Sequence, residues 1–283
     1  MPHEHESEPD WVRLAGHLER EAELHSDALR QTVAWVRAQG GGPRRVLDLG
    51  SGPGVVSALI AEGLPEAEVT AVDGAPELLA RARARADALG LRDRVHTTVA
   101  QLPADLGSLA PADLVWLGHV LHHLGDQRAA LVRLRDLLNP GGLLVLIEGG
   151  LHTRFLPRSI GVGRPGLQTR LDAVIEDWFT AMRAGLPDSE NVIEDWPALL
   201  TEAGLTHVGT KTFLTDHPAP LAADGREYLH ARLARTHPMV GDRLAAEDLA
   251  AVDELLGESE LGVRRRPDVF FLAARTVHIG RRD

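Results

Sequence analysis

The stretch Val46-Leu47-Asp48-Leu49-Gly50-Ser51-Gly52-Pro53-Gly54 decides how this chain folds. An apolar run ends near an acid, glycines follow at alternate positions, and a helical apolar pattern resumes at Val55. That order predicts a buried parallel strand turning sharply into a helix at the carboxyl edge of a sheet, where open α/β folds place their ligands. Glycine suits the turn because a side chain there would block a ligand lying against the backbone. The helix that follows offers unpaired N–H groups to an anionic group. The spacing differs from the dinucleotide pattern G-x-G-x-x-G, since position 55 is Val. No G-x-x-x-x-G-K-[ST] triphosphate motif is present.

Working outward, Glu68-Val69-Thr70-Ala71-Val72-Asp73 reads as a second strand ending in an acid, nineteen residues beyond Gly54. A carboxylate at that point can accept hydrogen bonds from both hydroxyls of a ribose, so the two strands describe a nucleoside site. The alternation continues. Strand 45–49 leads to helix 54–62, and strand 68–72 leads to a helix opened by Pro76 and closed by Gly90. Strand 94–99 precedes a polar loop, strand 113–117 precedes a helix over 126–138 capped by Asp126, and strand 143–148 follows an Asn139-Pro140-Gly141-Gly142 turn. Such alternation predicts a parallel sheet with right-handed crossovers.

Composition bounds the function. The 283 residues suffice for one large α/β domain with added helices, and 44% hydrophobic with 4% aromatic residues predicts a core of Ala, Leu and Val. A formal net charge of −11 argues against a protein that holds nucleic acid by neutralising phosphates. Of 30 basic residues one, Lys211, is lysine, which leaves 29 arginines and lowers the weight of any arginine cluster. Without cysteine there is neither disulfide nor thiolate zinc site. No signal sequence or run of 18 apolar residues is evident, so the chain reads as soluble, cytoplasmic and not membrane-bound. The His3-Glu4-His5-Glu6 run reads as part of a polar tail rather than a metal site.

Five ordered motifs resemble the class I S-adenosylmethionine-dependent methyltransferases, and within them the small-molecule branch. They are the turn at 48–54, Asp73, the strand 112–118, the His-rich Gly118-His119-Val120-Leu121-His122-His123-Leu124, and Leu138-Asn139-Pro140-Gly141-Gly142 before the strand ending at Glu148. The resemblance is strongest over 44–148. It implies a Rossmann-like, seven-stranded, mostly parallel sheet with an antiparallel last strand, N-terminal helices and helical insertions. It also implies S-adenosylmethionine as cofactor and S-adenosylhomocysteine as product. Asp48, Gly50, Ser51, Gly52 and Gly54 would hold the methionine end, Asp73 and Gly74 the ribose, and Ala100, Gln101 and Leu102 the adenine, with Gly118 and His119 beside them. This class usually meets the adenine amino group with an acid after the third strand. Here Gln101 stands in that stretch, and the first acid is Asp105.

Three histidines, His119, His122 and His123, fall just past the fourth strand, near the expected methyl. Transfer to oxygen or nitrogen needs the acceptor to lose a proton, for which histidine is well matched. The same run also packs below the cofactor in members without a histidine base, so both roles stay open. Glu148 would orient an acceptor, act as a base or cap the next turn. Arg154, Arg158, Arg164 and Arg170 would clamp an anionic acceptor or line a solvated loop. His119 and His123, four residues apart, lack matching carboxylates, so no metal is expected.

The expected organisation is a helical cover at 1–43, a cofactor-binding core at 44–150, an insertion over the acceptor site at 151–190, the rest of the core at 191–215 and 268–283, and a second insertion at 216–267. The function expected is methyl transfer, at oxygen, to a small-molecule or peptide-like acceptor of natural-product type. Nitrogen or carbon transfer is an alternative, as is a non-catalytic cofactor-binding protein. A homodimer is left open, and no nucleic-acid partner is expected.

Overall fold

A computed structural model describes residues 10–40 and 42–283; the His3-Glu4-His5-Glu6 run lies outside them. Two helices open the described chain, α1 (Trp11–Leu24) and α2 (Ser26–Ala38). The core then runs β1 (Arg45–Leu49), α3 (Val55–Gly63), β2 (Glu68–Asp73), α4 (Pro76–Ala88), β3 (Val95–Val99), β4 (Ala112–Gly118), α5 (Gln127–Asp136) and β5 (Leu138–Arg154). After it come α6 (Leu167–Ala184), α7 (Trp196–Glu202), β6 (Thr206–His217), α8 (Ala223–Val240), α9 (Ala246–Leu256) and β7 (Phe271–Arg281).

The strands form one sheet in the order β3-β2-β1-β4-β5-β7-β6. Strands β1 to β5 pair in parallel, and β7 runs antiparallel to both of its neighbours, β5 and β6. The order reverses at β1, so the β1 and β4 carboxyl ends form the switch point where open sheets bind ligands.

Side-chain alternation builds a layer on each face. Val46, Val69, Leu114, Trp116 and Val145 pack with residues of α2 and α3 on one face. Leu47, Leu49, Val72, Val115, Leu117 and Leu144 pack with α5 and α7 on the other. Both faces are therefore covered, which is why these strands read as nearly unbroken apolar runs. A separate cluster joins α6, α8 and α9 through Leu171, Tyr228, Leu229, Val252 and Leu255 onto Phe271 of β7.

Two features differ from the sequence expectation. The Asn139-Pro140-Gly141-Gly142 stretch does not precede the fifth strand but lies within it. Leu138 pairs with Ala112 and Leu143 with Leu114, so those four residues bulge out while Asn139 Nδ2 donates to Asp113 at 2.7 Å. The fifth strand also continues past Glu148 to Arg154, through a second irregularity. Ile147 faces Val277 and Gly150 faces Arg275, so β5 carries one extra residue at 148–149. A bulge of this kind re-aims the side chains around it. Gly150 must be glycine there: its φ is 120°, and a Cβ would stand 2.1 Å from the Ala274 carbonyl oxygen.

Candidate active site

The glycine turn closes over the end of β1. Gly50 and Ser51 both donate to the Val72 carbonyl, at 2.8 and 3.0 Å, which ties the turn to β2. All three glycines have positive φ, but for different neighbours. A Cβ on Gly50 would meet Val120 at 2.3 Å, and one on Gly54 would meet Ala82 of α4 at 2.5 Å. A Cβ on Gly52 would find its nearest atom, in Leu18 of α1, only at 4.0 Å. Gly50 and Gly54 therefore admit protein, and Gly52 alone leaves room for something else.

Asp73 sits at the tip of β2, where Oδ2 accepts from the Gly52 N–H and Oδ1 from the Ala75 N–H, both at 2.9 Å. Each oxygen keeps a lone pair for a further donor. Asp48 lies beneath the turn, 2% exposed, and accepts from Ser57 Oγ at 2.5 Å. Burial, with the Asp73 charge adding to it, pushes its carboxyl up to about 7 against the pull of the Ser57 hydroxyl.

A groove of about 610 Å³ runs from Asp73 and Gly74 past Gln101 and under Trp11 and Val12. Gln101 donates from Nε2 to the Gly74 carbonyl at 3.1 Å, and its backbone N–H donates to Asp105 at 2.8 Å. Asp105 is thus spent on its own loop. Ala100 is buried and donates to the Asp73 carbonyl, while Leu102 packs against the core of that face. Asp73 and Gln101 both line this groove, and each carries an oxygen able to accept a hydrogen bond. Ser51 Oγ and His119 Nε2 are buried polar atoms without a hydrogen-bond partner in the protein.

Past Gly118 the chain turns sharply. His119 has φ 56°, a left-handed conformation unusual for histidine, and its N–H donates to the Ile147 carbonyl at 3.0 Å. Leu121–His123 form a short 3₁₀ turn. Arg183 of α6 clasps that turn by donating to the carbonyls of His122 and Leu124, each at 2.7 Å. The bulge in β5 presents Glu148, only 4% exposed, to the same turn. Glu148 accepts from His122 Nδ1 at 3.0 Å and from the His122 backbone N–H at 3.3 Å.

His119, His122 and Glu148 line one cavity of about 460 Å³, walled further by β7, α1, α6 and α8; His123 does not line it. Burial holds His119 well below the usual imidazole range and brings His123 down to about 4. Those two are neutral, weak bases, and only His122 is coupled to a carboxylate within the cavity. His119, His122 and Glu148 also place one potential ligand atom each within 4.8 Å of one another.

Sequence reading missed other walls of this cavity: Glu21, His25, Phe179, Arg232 and Arg275. One signal was available for Arg275, a charge in the middle of a mostly apolar terminal strand; the helical residues carry none. The Arg154, Arg158, Arg164 and Arg170 series is not among the residues that line it. Arg164 and Arg170 both grip Asp248 of α9, at 2.7 Å, and Arg154 donates to Thr169.

Residues 47–144 match the family model of the methyltransferase domain. This stretch carries a methyltransferase domain of the class I S-adenosylmethionine-dependent kind. Among curated relatives, the trans-aconitate 2-methyltransferase of Methylobacterium radiotolerans is 41% identical over 183 residues, covering 54% of this chain and 66% of that protein. The demethylmenaquinone methyltransferase of Thermus thermophilus is 37% identical over 107 residues, covering 38% and 47% respectively. The chain thus spans less than two thirds of either relative's length. A solved structure described as a methyltransferase, from Bacillus halodurans C-125, superposes with a TM-score of 0.53 at 16% identity, over 89% of this chain and 98% of that one. At that identity the likeness shows the fold. Among the described residues no helix is long and apolar enough to cross a membrane.

Proposed function

We propose that this methyltransferase moves a methyl group to an oxygen of a small-molecule acceptor held in the cavity beside His122. The observation that carries this reading is the His122–Glu148 pair on the cavity wall. With Nδ1 directed at a carboxylate, the His122 ring keeps its proton there and leaves Nε2 as an acceptor. His122 then takes the proton of an acceptor hydroxyl, and Glu148 stabilises the imidazolium that forms. When bound, the cofactor supplies a methyl on a cationic sulfonium, an activated leaving group. The remaining work of the chain is orientation, which can lower a barrier by about 7 kcal/mol or more in favourable models. Asp73, Gly52 and Gln101 hold the nucleoside, and Asp48 favours the ammonium of the methionine end. The names of the relatives, which include a methyltransferase of trans-aconitate, support a small acceptor.

Calorimetric titration of S-adenosylhomocysteine tests the cofactor half. Because Asp73 also anchors the Gly52 and Ala75 N–H groups, Asp73→Ala costs stability as well as affinity, so Asp73→Asn is the cleaner variant. Micromolar binding to the parent chain and at least tenfold weaker binding to Asp73→Asn are expected; equal binding sinks the ribose assignment. For the acceptor half, His122→Gln should lower kcat by about 10²-fold or more at saturating cofactor while leaving S-adenosylhomocysteine affinity nearly unchanged.

A second reading rests on the same residues. His119, His122 and Glu148 supply the donor set of a two-histidine, one-carboxylate metal site. The direct His122–Glu148 hydrogen bond favours the base. Dialysis against a chelator separates the two: turnover that survives supports the base, and turnover lost and restored by a divalent cation supports the metal.

A further inference from the structure

The cavity beside His122 has an electrically uneven wall. Arg275 of β7 and Arg232 of α8 both line it, and each feels the other's charge. The Arg275 side chain is 17% exposed and pairs with Glu21 of α1 at 3.1 Å. No carboxylate comes within ion-pair distance of Arg232 among the described residues. Asp172 of α6 feels the Arg232 charge, yet burial outweighs that attraction and raises its carboxyl pKa. Two guanidinium groups therefore share one close carboxylate. The histidines nearby do not change that count, since burial and Arg275 hold both His25 and His119 in the neutral form.

Glu21 and Asp172 act on Arg232 only from beyond ion-pair distance, so its guanidinium has no direct carboxylate partner and is open to an anion in the cavity. We propose that Arg232 and Arg275 form an anion subsite for the acceptor, and that the acceptor carries a single carboxylate bound there. The proposal rests on reading this cavity as the acceptor site. A carboxylate matches the planar fork of a guanidinium better than a point charge would. The limit of one comes from other charges on the cavity: Glu148, Glu176 and Glu194 also line it, so further carboxylates would meet like charge. Leu151, Ile175 and Phe179 add apolar surface to the cavity lining. The acceptor is thus a small molecule with an apolar body, a carboxylate at the arginine end and its reacting hydroxyl toward His122. That selects against a polycarboxylate such as the trans-aconitate in the name of one relative.

The test is calorimetry on the full chain saturated with S-adenosylhomocysteine, using 4-hydroxyphenylacetate, its amide and trans-aconitate as probes. The parent should bind the acid at least tenfold more tightly than the amide, and trans-aconitate more weakly than the acid. In Arg232→Gln and in Arg275→Gln the preference for the acid should fall to threefold or less. Arg275→Gln also breaks the pair with Glu21, so Arg232→Gln, which breaks no ion pair, carries the decision if the first variant misfolds. Acid and amide bound equally, or both unbound, by the parent would overturn the subsite, as would a preference that survives in Arg232→Gln. Tighter binding of trans-aconitate would overturn the limit to one carboxylate. Titration of S-adenosylhomocysteine into each protein keeps the readings apart: failure there removes the cofactor site, and failure of the probes alone removes the anion subsite.

Discussion

At the scale of single residues, the glycine turn separates into two functions that its sequence pattern merges. Gly54→Ala drives a Cβ to 2.5 Å from the Ala82 Cβ and 2.8 Å from its Cα, so α3 and α4 must part. Gly52→Ala meets nothing closer than 4.0 Å and pays only the left-handed backbone, about 1–2 kcal/mol. Gly54→Ala should therefore lower the melting temperature more, whereas Gly52→Ala should lose more affinity for S-adenosylhomocysteine relative to its loss of stability. Parallel melting and titration of the two variants check this, and equal ratios would contradict it. Asp48 gives a second test. Its carboxyl is raised in the folded chain to about 7 from 3.8, so the folded state binds the extra proton between those values. Stability of the apo protein from this group is full below about pH 4, falls as pH rises, and levels off above 7, a loss on the order of 4 kcal/mol. Asp48→Asn keeps an acceptor for Ser57 and does not titrate. It should melt above the parent at pH 8 and close to it at pH 4; a constant difference across that range would rule out the titration.

At the scale of elements, the sequence was most legible where one rule sufficed. Buried strands at β1, β2 and β4 announced themselves as apolar runs, and Asp126, whose side chain accepts from the Ala129 N–H at 2.8 Å, marked the start of α5. The β5 bulge was not legible. Gly149-Gly150 looked like the end of a strand, because the pairing that continues the ladder comes from β7, more than a hundred residues away. The pairing of Arg164 and Arg170 was not legible for a similar reason: their partner, Asp248, lies on a helix distant in sequence. Asp248 is 2% exposed in its side chain, and its two arginines, 48% and 32% exposed, hold its carboxyl down to about 2. The stabilisation is present above about pH 4 and is lost as pH falls through 2. Discounted for the exposed arginines it is worth about 1 kcal/mol. Asp248→Asn should lower the melting temperature at pH 7 by a few degrees and make little difference at pH 2.5. Since Arg170 lies on α6, which also carries Arg183, the same variant should disturb the His122 turn and reduce kcat more than cofactor affinity.

At the scale of the whole molecule, α1 joins the two sites. Trp11 and Leu18 pack with Ala75 and Leu78 at the start of α4, so one end of α1 roofs the groove beside Asp73. Glu21, near its other end, pairs with Arg275 in the cavity beside His122. Few of its residues are deeply buried: Ala15, at 1% exposed, and His17, at 7%, are its buried members. With few deeply buried side chains, α1 is held largely by ion pairs from Glu19, Glu21 and Glu23, and a ligand that fills the groove beneath it adds to its hold. Ligand binding at a hundred times Kd stabilises the native state by about 2.7 kcal/mol. For a chain of this size that corresponds to a rise of roughly 5 °C or more in melting temperature. Amide exchange should locate the gain. Slowing over Trp11–Leu24 on addition of S-adenosylhomocysteine is expected, together with slowing at the glycine turn. With Glu21→Gln, which frees Arg275 but leaves Trp11 and Leu18 in place, protection of the first half of α1 should persist and that of the second half should fall. Protection confined to the glycine turn, with α1 unchanged, would mean that the helix covers the cofactor without responding to it, and that the two sites are joined in space but not in energy.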